Sequence, residues 1–134
     1  MAEQPAYESL DFIYQPSRDV KRDLAFFVDV LGGRLRFAVE GMGTRVAAVE
    51  LTTGPPLLLL ADHLTGETPV LVYRVGELRQ ATEQLEARGW QPGETLEIPH
   101  GPLSSFRAPG GQRLAIYQLT RPDAAAHFQG RRDF

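Results

Sequence analysis

The side chains best suited to chemistry in this chain are its three histidines, its carboxylates and its arginines, and there is no cysteine. That absence removes thiolate nucleophiles, disulfides and Cys-ligated zinc, and it is compatible with a reducing cytosol. None of His63, His100 and His127 has a second histidine at the short spacing that closes two imidazoles on one metal ion. His100 sits in the turn-rich run Ile98-Pro99-His100-Gly101-Pro102, where a loop can close over a cavity; surface or structural roles suit His63 and His127. Glu50, in Val49-Glu50-Leu51-Thr52, is a lone carboxylate in a β-prone run, a candidate base or an ion-pair partner. Gly110-Gly111 has a phosphate loop's glycines without the following helix, so it reads as a turn.

Composition narrows the partners. With 14 basic and 17 acidic residues the formal charge is −3, and the single pair Arg131-Arg132 is too small a basic patch to neutralise a nucleic-acid backbone. No apolar run reaches membrane-spanning length, and residues 1–8 lack the basic and apolar regions of a secretory signal. The expectation is a cytoplasmic protein that meets neither nucleic acid nor membrane.

Positioning those side chains falls to alternating short elements. Residues 1–9 read as a polar lead-in, and Leu10–Gln15 as a strand closed by Pro16, with Phe12 and Tyr14 on one face. Ser17 or Asp19 caps a helix whose stripe Val20, Leu24, Phe27, Leu31 ends at Gly32-Gly33. Arg34–Glu40, Arg45–Thr52 and Leu57–Ala61 follow as strands. The order then restarts. Val70–Val75 is a strand, Glu77–Arg88 a helix with Leu78, Ala81 or Thr82, and Leu85 inward, and Trp90–Pro92 and Leu96–Ile98 are weaker strands. Ser105–Arg107 and Arg113–Leu119 form a hairpin around Pro109-Gly110-Gly111. On its second strand Arg113, Ala115 and Tyr117 share one face, and Leu114, Ile116 and Gln118 the other.

Phe12 matches Val70, Tyr14 matches Val72, Asp19-Val20 matches Glu77-Leu78 and Phe27 matches Leu85, a constant offset of 58 positions. Two copies make an internal duplication, not a solenoid. The expectation is an α+β domain of two tandem β-α-β-β-β modules, residues 10–65 and 68–120. Residues 121–134 form a C-terminal tail in which Pro122 and Asp123 can start a short helix, with Phe128 and Phe134 as anchors.

That order, with Asp19-Val20 through Asp29-Val30-Leu31-Gly32 and Phe106-Arg-Ala-Pro-Gly-Gly-Gln-Arg-Leu114, resembles the vicinal oxygen chelate superfamily, which includes glyoxalase I, bleomycin-resistance proteins and extradiol dioxygenases. The resemblance covers residues 10–119. It implies curled mixed and antiparallel sheets around a cavity, often with a homodimer supporting the site. In metal-dependent members His, Gln or Glu side chains on cavity-facing strands hold a divalent ion. At the matching positions this chain has Phe12, Val70 and Ala115, leaving Glu50 as the one plausible ligand, so the expected metal set is none and the expected cofactor none, a divalent metal being the alternative.

By the same resemblance the cavity is lined by Phe12, Tyr14, Glu50, Thr52, Val70, Val72, Ala115 and Tyr117, with Arg74 and Arg113 further along. Tyr14 and Tyr117 are the aromatic ligand candidates, because a buried hydroxyl needs a partner, whereas Trp90 and Phe106 belong to the core. Glu50 in an apolar cavity has either a raised pKa or a cationic partner, Arg74 or Arg113 being nearest by face. The leading expectation is a metal-independent protein that binds a small apolar or aromatic molecule, of the bleomycin-resistance type. One alternative is a lyase, isomerase or oxygenase with a rearranged or absent metal site, with Glu50 and His100 as its candidate catalytic residues. The other is a dimeric interaction protein.

Overall fold

In the computed structural model, which describes residues 6–134, the elements are β1 (Tyr7–Pro16), α1 (Val20–Ala25), β2 (Arg34–Gly41), β3 (Thr44–Glu50), β4 (Leu57–Ala61), β5 (Val70–Val75), α2 (Leu78–Glu86), β6 (Thr95–Ile98), β7 (Gly101–Arg107) and β8 (Arg113–Gln118). A 3-10 turn, Pro122–His127, follows. The fold is α+β, with mixed sheets and two β-α-β-β-β runs. β1 begins at Tyr7, inside the expected lead-in, of which residues 1–5 lie outside the described residues. The chain divides into two compact units, one of Phe12–Pro69 with Ala126–Phe134, the other of the residues up to Asp11 with Val70–Ala125.

In the first unit the strand order is β2-β3-β4-β1. β1 runs parallel to β4 from Phe12 opposite Leu57 to Pro16 opposite Ala61, and the other neighbours are antiparallel. Val20 and Leu24 of α1 pack on Ala38, Ala47, Val49 and Leu60, so Phe12, Tyr14, Ala48, Glu50, Leu57 and Leu59 alternate onto the face away from the helix. The Asp19 side chain accepts the Arg22 N–H at 3.1 Å, which satisfies a first-turn donor. From Phe26 to Val30 the helix widens into a π turn, with the Leu31 N–H reaching the Phe26 carbonyl at 3.1 Å. The wider turn shifts the phase of the apolar stripe. Leu31, expected inward, is exposed, and Val28 packs on the core in its place.

The segment after the 3-10 turn runs along the outer edge of β2. Gly130 N–H donates to the Arg36 carbonyl (3.0 Å), Ala38 N–H to Arg131 (2.8 Å) and Asp133 N–H to Ala38 (2.6 Å). The Phe128 ring packs on Phe37 at 5.4 Å between centroids, and Phe134 joins the α1 core beneath the Arg45 guanidinium. Edge strands expose unpaired amides, and this segment covers them.

In the second unit β5 runs parallel to β8 from Val70 opposite Arg113 to Val75 opposite Gln118, and β8-β7-β6 continue antiparallel. Phe12 and Val70 therefore open equivalent parallel pairings, 58 residues apart, and the helices start at Val20 and Leu78 with the same offset. Ala81 of α2, with Leu78 and Leu85, packs on Val75 and Ile116, and Gln118 Oε1 accepts the Leu78 N–H at 2.9 Å. Val70, Val72, Arg74, Arg113, Ala115 and Tyr117 thus lie on the face away from α2. The β7–β8 turn closes through Gly111 N–H to the Ala108 carbonyl (2.9 Å), with Gly111 at φ +89°. β7 starts at Gly101, inside the expected loop, because a Cβ there would lie 1.9 Å from the Gln118 carbonyl oxygen and only glycine permits the approach. Trp90–Pro92 is not a strand; the Trp90 ring stands edge-on to Phe106 in the core.

Candidate functional site

The polar groups on the faces away from the helices fall into two sets, one in each unit. In the first unit, Glu50 ends β3, directly across from Arg34 on the edge strand β2. The register shifts between Leu35 and Phe37, so Arg36 is an extra residue in β2 and its side chain turns to the same carboxylate. Arg34 Nη2 meets Glu50 Oε2 at 2.8 Å, Arg36 Nη1 engages Oε1, and Arg36 Nη2 donates to Gln129 Oε1 at 2.8 Å. Glu50 is 9% exposed, Arg36 40% and Arg34 66%. The Glu50 partners are therefore local β2 guanidiniums, not Arg74 or Arg113.

Leu57, Leu59, Ala48 and Phe12 continue that face away from Glu50, with Phe12 edge-on to Tyr14 at 6.3 Å. Burial pushes the Tyr14 phenol up to about 12, so it is a neutral hydroxyl, and it has no hydrogen-bond partner among the described residues. Thr52 lies beyond the end of β3 and is exposed.

In the second unit Asp11 is the centre. Its carboxylate accepts from the Tyr117 hydroxyl and from Ser9 Oγ (2.5 Å), and Arg74 Nε stands 3.7 Å from Oδ2 and 3.0 Å from Glu8 Oε2. The Arg74 N–H is not aimed at either oxygen, so that pairing is electrostatic and the buried Nε keeps an unused donor. Tyr117 is 1% exposed, and Ala115 is wholly buried between Val72 and Ser105. Val70 and Arg113 are half-buried neighbours at the start of their strands.

His100 belongs to this second set. Its carbonyl accepts from Thr120 and Arg121, each at 3.0 Å, and Arg121 also clamps the Pro99 carbonyl (2.7 Å), the Ile98 carbonyl (2.8 Å) and Glu97 Oε2 (2.6 Å). The run expected to be a closing loop is pinned by the Thr120–Arg121 segment. Burial lowers the His100 imidazole below its usual value; the Asp11 charge opposes this and Arg121 reinforces it. The shift favours the uncharged ring, the form that accepts a proton. Sequence alternation does not point to Asp11 and Ser9, because both fall out of phase with the aromatic stripe Phe12 and Tyr14.

The divalent ion that the resemblance implies does not fit these residues. Phe12, Val70 and Ala115 offer no donor, and both Glu50 oxygens are held by guanidiniums. Among the described residues no three His, Asp or Glu side chains gather where a metal ion could sit. No described helix is long and apolar enough to cross a membrane.

No family model matches the chain, and no curated protein does. Solved structures do. Methylmalonyl-CoA epimerase from Mycobacterium tuberculosis has a TM-score of 0.72 at 17% identity, over 93% of this chain and 97% of that one. The hypothetical protein BH1468 from Bacillus halodurans C-125 gives 0.71 at 16%, over 84% and 95%. A variant of Streptomyces coelicolor methylmalonyl-CoA epimerase, in complex with 2-nitronate-propionyl-CoA, gives 0.68 at 13%, over 87% and 100%. The expectation of a metal-independent binding protein of the resistance type is corrected by this set: the named neighbours are enzymes, which favours the enzyme alternative over a non-enzymatic binding protein. What this chain shares with those epimerases at such identities is their fold, the one that members of the vicinal oxygen chelate superfamily adopt.

Proposed function

We propose that this chain is an isomerase-type enzyme that moves a proton at a carbon next to a carbonyl group, on a small acyl compound and without a divalent ion. The carrying observation is the His100 imidazole, whose uncharged form burial favours, within the field of Asp11, whose carboxylate is held by Tyr117 and Ser9. A proton beside a carbonyl is removed by a base that is uncharged at working pH and is held in place by its neighbours. In this reading the imidazole takes the proton, the electron pair passes into the carbonyl as a planar enolate, and the imidazolium returns the proton to the opposite face of the carbon once the enolate has turned that face to it. The Asp11 charge electrostatically supports the imidazolium that forms between the two transfers. Arg74, with its unused Nε donor, supplies positive charge beside the same carboxylate. The fold shared with methylmalonyl-CoA epimerases supports a substrate of acyl-thioester type.

The test is solvent exchange. In D₂O, with methylmalonyl-CoA and the hemithioacetal of a 2-oxoaldehyde as substrates, mass spectrometry follows deuterium entering the carbon beside the carbonyl. Wild-type protein stripped with a chelator catalyses exchange on one of them, and His100→Gln slows it by about 100-fold or more, the ordinary worth of a positioned base. Absence of exchange on both substrates, or full exchange by His100→Gln, overturns the proposal.

A further inference from the structure

We infer that Arg34 and Arg36 form a site in the first unit for the carboxylate group of a small anionic ligand. Its evidence is separate from that of the enzyme reading above. It stands on the first unit alone.

The charge count at the end of β3 is two guanidiniums to one carboxylate, so Glu50 neutralises one of them and leaves one positive charge over. Nearby charges do not cancel it: Glu40 pairs with Arg45, and Asp133 pairs with Arg131. Donors are also left over. A guanidinium has five N–H groups in a planar fork; Arg34 gives one to Glu50 and has no other protein partner among the described residues. Arg36 keeps a buried Nε without any hydrogen-bond partner. An unused donor shielded from water is a cost that a ligand oxygen can relieve.

The backbone aims the pair. Arg36 stands two residues on from Arg34 in β2 and so lies on the side of the sheet that Arg34 and Glu50 occupy, and Gln129 Oε1 fixes its other amine at 2.8 Å. Glu50 acts as the clamp that keeps two like charges side by side, and Arg34, at 66% exposure, is the one a ligand reaches. Next to the pair the same face is apolar, with Leu57 and Phe12. That pattern selects a carboxylate joined to a short apolar body. Planar, bidentate pairing with a carboxylate is the geometry for which arginine is suited.

Malonate serves as the probe, titrated into the purified chain by calorimetry at low ionic strength, with no turnover required. Wild type binds it at millimolar or lower concentration. Arg34→Ala weakens binding at least tenfold while melting near wild type, because that side chain is largely in water. Glu50→Gln, which removes the competing negative charge, tightens binding severalfold; a Glu50 that held ligand or metal directly would give the reverse. No binding by wild type, unchanged affinity in Arg34→Ala, or weaker binding in a folded Glu50→Gln overturns the inference. Exchange chemistry at His100 can fail while malonate still binds, and the reverse, so the two proposals fall separately.

Discussion

Replacing Tyr117 by Phe removes one oxygen and nothing else from a side chain that is 1% exposed. The hydroxyl donates to Asp11 Oδ2, and a hydrogen bond to a charged group contributes about 1.5–3 kcal/mol. Asp11 keeps Ser9 Oγ at 2.5 Å and the more distant Arg74 at 3.7 Å, and water has little access to replace the lost donor, so the middle of that range applies. A loss of about 2 kcal/mol in a domain of this size lowers Tm by roughly 8 °C. The assay is thermal and urea unfolding of wild type, Tyr117→Phe, Asp11→Ala and the double variant. If the bond is as described, the two changes are coupled by about 1–2 kcal/mol. A coupling inside the additivity error of about 0.5 kcal/mol would refute the reasoning, because Tyr117 and Asp11 would then contribute independently.

Two further outcomes follow from the same geometry. Because burial lowers the His100 pKa, the unfolded chain protonates first as pH falls below about 6.5, so stability present above that value is lost towards acid; His100→Gln flattens this part of the pH profile, and an unchanged slope contradicts it. Deleting residues 128–134 uncovers the β2 edge and two phenylalanine anchors, lowers stability by about 2–4 kcal/mol and produces concentration-dependent association by light scattering; a monodisperse, equally stable product would contradict it.

Much of the fold was legible because local chemistry and tertiary pairing agree. Alternation on Arg113–Gln118 assigned faces that the packing of α2 on Ile116 reproduces, and the offset of 58 that relates Phe12 to Val70 reappears in strand register. Legibility failed where one residue is inserted. The π turn at Phe26–Val30 moved Leu31 outward, and the extra residue in β2 put Phe37 on the face of Arg34 and Glu50, whereas simple alternation sends it to the opposite face. Asp11 was missed for a related reason: strict alternation sets it apart from Phe12 and Tyr14, and its partner Tyr117 lies 106 residues away. A pairing over that distance leaves no periodic trace.

The covering of β2 by residues 128–134 also fixes an order of events during synthesis. Those residues leave the ribosome long after Arg34–Gly41, and at about 5–20 residues per second the intervening chain takes roughly 5–20 seconds to appear. For that interval the outer edge of a nearly finished β2-β3-β4-β1 sheet stays open to other nascent chains. Slow translation over the second half of the message therefore lengthens the exposure, and yield of soluble product should depend on codon choice there more than on codon choice within the first sheet itself.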